Sequence, residues 1–382
     1  VKPLWTVPFV VLTLSTFFLF TGFYFLIPAM PLYIKQLGGS ESQVGLVMGL
    51  FTIAAVVVRP FIGGLLDQVG RKVFVVWGLI LFALLMYPYT WVSGIVLLFV
   101  LRIVHGASWA VSTTAISTAV TDHIPAHRRG EGMGWFGLSN TAAMAIGPLL
   151  GVWMLGQYSF SSLFTLAAAL AVIALLGAAL MKMPYQPAKR GRMVLFNKVL
   201  LPVAGAIFFM AFIYGGVASF LPLFAESIKV NSGTFFLVYA ISLAVARMLS
   251  GRLSDRYGEV YTILPGIVLT IAAMVALAFI QSVAGIVLAA VLFGLGFGSA
   301  QPALQAMMLR LVGPDQRGMA NASFATAFDL GIGIGSIVLG WISQMFGFTA
   351  LFAAGAISGA IALLVYIFSA RKAQPASGSV NV

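Results

Sequence analysis

The chain has 382 residues, 61% of them hydrophobic and only 8% charged, with 21 Lys and Arg against 9 Asp and Glu. That composition excludes a water-soluble domain, because the polar surface needed to clothe one is lacking. The absence of cysteine excludes disulfides and thiolate metal sites, and the formal charge of +12 acquires meaning only from where it falls along the chain.

A bilayer core about 30 Å thick takes roughly 20 apolar residues per helix, and such runs recur with short polar gaps between them. They predict twelve spans, at 8–34, 42–66, 73–91, 94–121, 131–156, 161–181, 199–225, 233–254, 260–280, 283–311, 318–345 and 349–370. The first lacks an A-x-A-like cleavage site and is expected to remain as a helix. Residues 1–181 then form one six-helix bundle, 182–198 a basic linker, 199–373 a second bundle and 374–382 a disordered tail.

Basic residues gather on one side of these spans. Lys2, Arg71, Lys72, Arg128, Arg129, Lys182, Lys189, Arg190, Arg192, Lys198, Arg252, Arg256, Arg310, Arg317, Arg371 and Lys372 sit at the two termini, in turns after even-numbered spans, or in the linker, whereas the other side carries Lys35 and Lys229. The positive-inside bias predicts an inner (cytoplasmic) membrane protein with both termini and the linker in the cytoplasm. Anionic lipid headgroups, and not nucleic acid, account for the basic surface.

The chain repeats itself. GGLLDQVG at 63–70 matches GRLSDRYG at 251–258, a shift of 188 that also superimposes Arg59 on Arg247, Arg129-Gly130 on Arg317-Gly318, and Gly147 on Gly335. PLY at 31–33 matches PLF at 222–224 with a shift of 191, a difference assigned to loop length. Six spans, a linker and six more make two units of like orientation, a plan in which substrate binds between the halves near the midplane.

Several motifs lie on this frame. Gly63, Leu65, Asp67, Gly70, Arg71 and Lys72 spell G-x-L-x-D-x-x-G-R-K; Leu98, Arg102 and Gly106 in the fourth span follow L-x-x-x-R-x-x-Q-G with His105 in place of Gln. The fifth span carries GPLLG at 147–151 after Gly134 and Ala143, and the first carries Gly22, Pro28 and Pro31. Through these motifs nearly the whole chain resembles the major facilitator superfamily, most closely its twelve-helix drug-proton antiporters. The resemblance implies an all-α membrane fold of two pseudo-symmetric six-helix bundles. It also implies that the turn at 63–72 latches the cytoplasmic side in the outward-facing state, with Asp122 and Arg129 joining Arg71. Gly147, Pro148 and Gly151 carry the motif associated with export. The second copy of the turn, Gly251, Asp255, Arg256 and Gly258, continues into Glu259 and Val260 in place of a basic pair, which predicts a weaker latch. Glycines in both copies are expected to admit close neighbours.

Charges inside the spans are the candidate machinery. Arg102 lies about 13 Å into its span and shares one helix face with His105, Trp109 and Ser112, a stripe expected to line a cavity. Asp329 lies about 18 Å past Arg317, where a lone carboxyl has to be protonated or paired; it is the proposed proton carrier. Arg102, His105 and Glu226 are the other proton-coupling candidates, with alternate pairing of Arg102 and Asp329 as one arrangement. Arg59 and Arg247 are read as structural residues reaching toward water.

By the resemblance, the cavity is walled by spans 1, 4, 5, 7, 8, 10 and 11, which offers Tyr24, Trp109, Phe136, Asn140, Tyr214, Tyr239, Gln301, Gln305 and Phe328 for substrate. Aromatic faces with one acid suit amphipathic, lipophilic or cationic organic compounds. A sugar or metallophore-type metabolite, or passive facilitation, stays open. No G-x-x-x-x-G-K-[ST] occurs, so a proton gradient, without a cofactor, is the expected energy source; the glycine runs at 294–298 and 331–335 are packing glycines. GASWA at 106–110 lacks a hydrolase setting, and the protein is expected to be a monomeric transporter, not an enzyme.

Overall fold

In the computed structural model the described residues are 3–125, 128–183, 197–313 and 316–373, with the side chains at 64, 67, 129, 130, 252, 255, 317, 318 and 369–373 outside that description. The linker residues 184–196 and the tail therefore lie outside it too. A backbone crossing hydrocarbon has to satisfy its own N–H and C=O groups, and a helix does so within one segment. The helices are α1 (Val7–Leu26), α2 (Ala29–Gln36), α3 (Glu41–Val69), α4 (Arg71–Met86), α5 (Ile95–Asp122), α6 (Arg129–Leu155), α7 (Phe160–Leu180), α8 (Leu201–Ser227), α9 (Ser232–Tyr257), α10 (Val260–Phe279), α11 (Val283–Arg310) and α12 (Arg317–Ala373). Among the described residues there is no strand.

The first predicted span breaks after Leu26, where Pro28 withholds a backbone donor, and α2 continues it. At the other end of the chain, the apolar part of α12 runs from Met319 to Phe368, 50 residues. That is about 75 Å of helix, twice what a bilayer takes. Gly347, at φ 79° and ψ 178°, turns the chain back, so the arms 317–346 and 348–373 are the eleventh and twelfth spans. The count of twelve follows, and both ends of the helical array lie on one face, called here the terminal face.

The repeat is written in the backbone. Gly70 and Gly258 end α3 and α9 with φ of 101° and 94°, and Gly38 and Lys229, 191 apart, take φ of 80° and 57°. Ser40 and Asn231 accept backbone N–H bonds as caps of α3 and α9. Four residues precede each of these helices, so the three-residue change in shift is not in the loop, as the sequence suggested. It is in the helix itself, 29 residues in α3 against 26 in α9.

Within the first half α1 packs on α6 and α7, α3 on α5, and α4 on α5 and α7; within the second α8 packs on α12, α9 on α11, and α10 on α11 and α12. The halves meet along two repeat-related seams, α3 with the first arm of α12, and α9 with α6. Toward the far face the first seam is tight: a Cβ on Gly45 would run into the Ser336 carbonyl, and one on Gly49 into the Gly333 carbonyl, so the missing side chains are what let these helices touch. The Ser42 N–H donates to Gln344 Oε1 at 3.1 Å and the Ser343 hydroxyl to Glu41 Oε2 at 2.8 Å. In the second seam Val152 lies against Gly233. Toward the terminal face the same helices part, and among the described residues nothing beyond their own helical turns comes within 4 Å of where a Cβ would stand on Gly63 of α3, Gly134 and Gly137 of α6, or Gly251 of α9. The assembly is shut at the far face and open at the terminal face.

Candidate functional site

The closed and open stretches of the first seam meet at an ion pair. Arg59 on α3 brings Nη2 to 2.7 Å from Asp329 Oδ2 on α12, joining the halves about ten residues from the terminal end of α3. It is a close approach of charges without hydrogen-bond alignment, since Arg59 Nε and Asp329 Oδ2 both lack a hydrogen-bond partner. Arg59 thus does not reach toward water as its sequence position suggested. Crossing the seam to a carboxylate answers the cost of a buried cation better than a stretched side chain does. The suggested partner of Asp329, Arg102, is elsewhere.

Arg102 is 3% exposed. Its Nε donates to the Val47 carbonyl at 3.2 Å, and its guanidinium lies 4.3 Å from the centre of the Phe51 ring. His105 is fully buried, with Nδ1 2.9 Å from the Tyr89 hydroxyl and the Phe82 ring 4.4 Å away. Ser112 bonds back to the Ser108 carbonyl. Arg102, His105 and Ser112 therefore face the interior of the first half, against α3, α4 and the turn that carries Tyr89, and not a cavity as expected, while Trp109 lies between Phe82 on α4 and Phe23 on α1. The reason is satisfaction of polar groups: a carbonyl, a tyrosine hydroxyl and aromatic faces are available there without water. Glu226 is exposed at the far end of α8, away from the other coupling candidates.

A second group of predicted residues does converge. Tyr24 on α1 directs its hydroxyl toward Asn140 on α6 at 3.5 Å. Tyr214 stacks on Phe297 with centroids 5.1 Å apart, Tyr239 lies 5.6 Å from Phe293, and Phe328 is 6.3 Å from both Tyr214 and Phe297. Arg247 donates through Nη2 to Gln301 Oε1. Trp109 belongs to an aromatic group within the first half, stacked on Phe23 at 4.4 Å. Phe136 is half-buried on α6, and Gln305, a turn beyond Gln301, donates to Asn321 at 3.3 Å. Sequence reading missed Arg59 and Arg247, although their match across the repeat was a signal. It also missed Phe23, Phe51, Phe293 and Phe297, which nothing distinguishes from the other phenylalanines of an apolar chain.

The turn motifs gain a different meaning. Arg71 Nε donates to Asp122 Oδ2 at 2.9 Å and its Nη1 to the Leu66 carbonyl at 3.1 Å. In the second copy Glu259 stands for Arg71, yet the pair survives: Arg310, 188 after Asp122, meets Glu259 at 3.0 Å. Its polarity is reversed, and it is the looser of the two: Arg310 is 62% exposed and Glu259 Oε1 has no hydrogen-bond partner, whereas Arg71 makes two hydrogen bonds. Lys72 is exposed, and Arg256 lies over the Tyr257 ring at 5.2 Å. Gly63 and Gly251, expected to admit close neighbours, face open space. The side chains of Asp67, Arg129 and Asp255 lie outside the described residues. Gly147 abuts Tyr24, and Gly151 abuts Phe25 and Pro28, so the stretch around Pro148 on α6 is the groove that holds α1.

The Major Facilitator Superfamily profile matches residues 12–238 and 203–381. The staphylopine export protein of Staphylococcus aureus is 26% identical, over 96% of each chain. A multi-drug resistance efflux pump PmrA homolog of Lactococcus lactis is 26% identical over 86% of this chain and 87% of its own. The quinolone resistance protein NorA of Staphylococcus aureus is 22% identical over 95% and 97%. Among solved structures, a bacterial homolog of the human lysosomal transporter Spinster, inward-facing and occupied, superposes with a TM-score of 0.80 at 16% identity over 97% and 98% of the two chains. The nucleoside transporter NupG gives 0.72 at 17% over 95% and 99%. With residues 12–381 matched in this way, the chain is a multi-pass membrane transporter and not an enzyme, and it belongs to the Major Facilitator Superfamily.

Proposed function

We propose that this transporter exports small organic compounds across a cytoplasmic membrane in exchange for protons, its halves rocking about the central aromatic and charged cluster. The observation that carries this reading is the Arg59–Asp329 pair, which bridges the halves where the shut part of the seam gives way to the open part. Lys and Arg crowd the terminal face, so the positive-inside bias assigns it to the cytoplasm, and the conformation described here is inward-facing. While the far ends are together, Arg59 neutralises Asp329. When they part, α3 carries Arg59 away, and the carboxylate has to exchange its counter-ion for a proton. Taking that proton from outside and surrendering it when Arg59 returns ties proton entry to the outward swing on which the compound leaves. The glycines at 63, 134, 137 and 251, which face open space, are the surfaces that meet when the terminal face closes.

The names of the similar proteins, a staphylopine exporter, a multi-drug efflux pump and a quinolone resistance protein, support export as the direction. They also make a quinolone a sensible first cargo. The test is norfloxacin uptake by everted vesicles under an imposed pH gradient. Asp329→Asn is expected to lose the gradient-dependent part while Asp329→Glu keeps a fraction of it. Undiminished gradient-driven uptake by Asp329→Asn would remove the assignment.

A further inference from the structure

The two seams are related by the repeat, but their charges are not. Arg59 and Arg247 are 188 apart and each lies ten residues from the end of its helix, α3 and α9. Arg59 faces Asp329 across its seam. The residue 188 before Asp329, on the α6 side of the other seam, is Thr141. Its hydroxyl is spent on the Gly137 carbonyl at 3.0 Å. The acid that the symmetry would supply to Arg247 is therefore missing.

What surrounds Arg247 is neutral and partly unsatisfied. Gln301 accepts from its Nη2, whereas its Nε is buried and has no hydrogen-bond partner. Tyr239, eight residues earlier on the same helix, is 3% exposed, and its hydroxyl is likewise buried without a partner. Eight residues are just over two helical turns, which sets both side chains on one face. A buried cation is costly without a counter-charge, and a buried O–H or N–H left without an acceptor adds to that cost. Asp329 is already taken by Arg59, Glu226 is exposed at the far end, and Glu41 is engaged by Ser343 and by Lys35 at 3.8 Å. Nothing among the described residues offers Arg247 a carboxylate.

We propose that Arg247 and the Tyr239 hydroxyl form a receiving site for an anionic group of the cargo, a carboxylate by preference, which takes the place in the second seam that Asp329 occupies in the first. The site rests on the reading that small organic compounds pass between the halves, and it narrows their class to organic acids and zwitterions.

The test uses a matched pair, norfloxacin and its methyl ester, binding to the purified full-length transporter in nanodiscs by intrinsic fluorescence. The wild type is expected to bind the acid at least tenfold more tightly than the ester. Arg247→Gln should erase that preference, Arg247→Lys should keep part of it, and Tyr239→Phe should reduce it several-fold. Equal binding of acid and ester by the wild type, or an unchanged preference in Arg247→Gln, would overturn the proposal. Asp329→Asn separates the two readings. If it still prefers the acid while gradient-driven uptake is lost, both stand. If it retains gradient-driven uptake while acid preference still depends on Arg247, the proton assignment falls and the anion site survives.

Discussion

The α3–α12 seam and the α9–α6 seam descend from one repeated pattern, and they have been finished differently. The first is closed by backbone contact at Gly45 and Gly49 and by a full ion pair, Arg59 with Asp329. The second has the arginine without the acid, with an amide and a tyrosine hydroxyl beside it. Pseudo-symmetry sets where polar groups stand in the membrane, whereas asymmetry in the partner decides what each does. One seam holds its own counter-ion and can exchange it for a proton; the other leaves the position open for something brought from outside. The turns make the converse point. Arg71–Asp122 and Glu259–Arg310 keep the pairing of opposite charges and exchange the signs, which is what a purely structural tie permits and a proton carrier would not.

The largest expected effect comes from making the first seam like the second. Asp329→Asn, or Arg59→Gln, removes the exchangeable pair, and gradient-dependent transport in everted vesicles should fall to background with the transporter still folded. Making the second seam like the first is the complementary experiment. Thr141→Asp offers Arg247 the missing acid, and carboxylate binding should weaken by about tenfold, a change of about 1.4 kcal/mol.

Gly45→Val probes the backbone contact. Its side chain meets the Ser336 carbonyl, and overpacking of this kind costs about 1–3 kcal/mol, enough to turn the population toward the state open at the far face. Because the chain has no cysteine, single cysteines at positions 63 and 251 can report this as slower thiol labelling from the terminal face. Labelling at an unchanged rate would show that this contact does not set the resting state. The smallest effect is expected at the turns. Arg71→Glu with Asp122→Arg reproduces the second half's polarity, and thermal stability should return to within about 1 kcal/mol of the wild type, while Arg71→Glu alone puts like charges together.

Much of this was legible in the residues. The spans followed from apolar runs, the repeat from matching turns, and Asp329 stood out because an acid at that depth is rare. The pairing of Asp329 with Arg59 was not legible. Arg102 and Arg59 are both single cations within spans of the first half, and only helix rotation turns one into the bundle and the other across the seam. The stripe on α5 had the periodicity of a cavity wall and also of a buried helix face; Val47, Phe51 and Tyr89 decided in favour of the latter. The reversed ion pair escaped because Glu259 was compared with Arg71 alone, without Arg310 against Asp122.

By itself the sequence determined the number of spans, their common direction in the two halves and the depth of each charge. Hydrocarbon enforces these through backbone hydrogen bonding and the cost of buried polarity, whatever the neighbours are. The tertiary structure alone decided which face is shut, which arginine holds the acid and which is left without one. Those outcomes depend on how helices rotate and approach, and on glycines such as Gly45 and Gly49 that let two particular backbones touch; contacts of that kind have no one-dimensional signature.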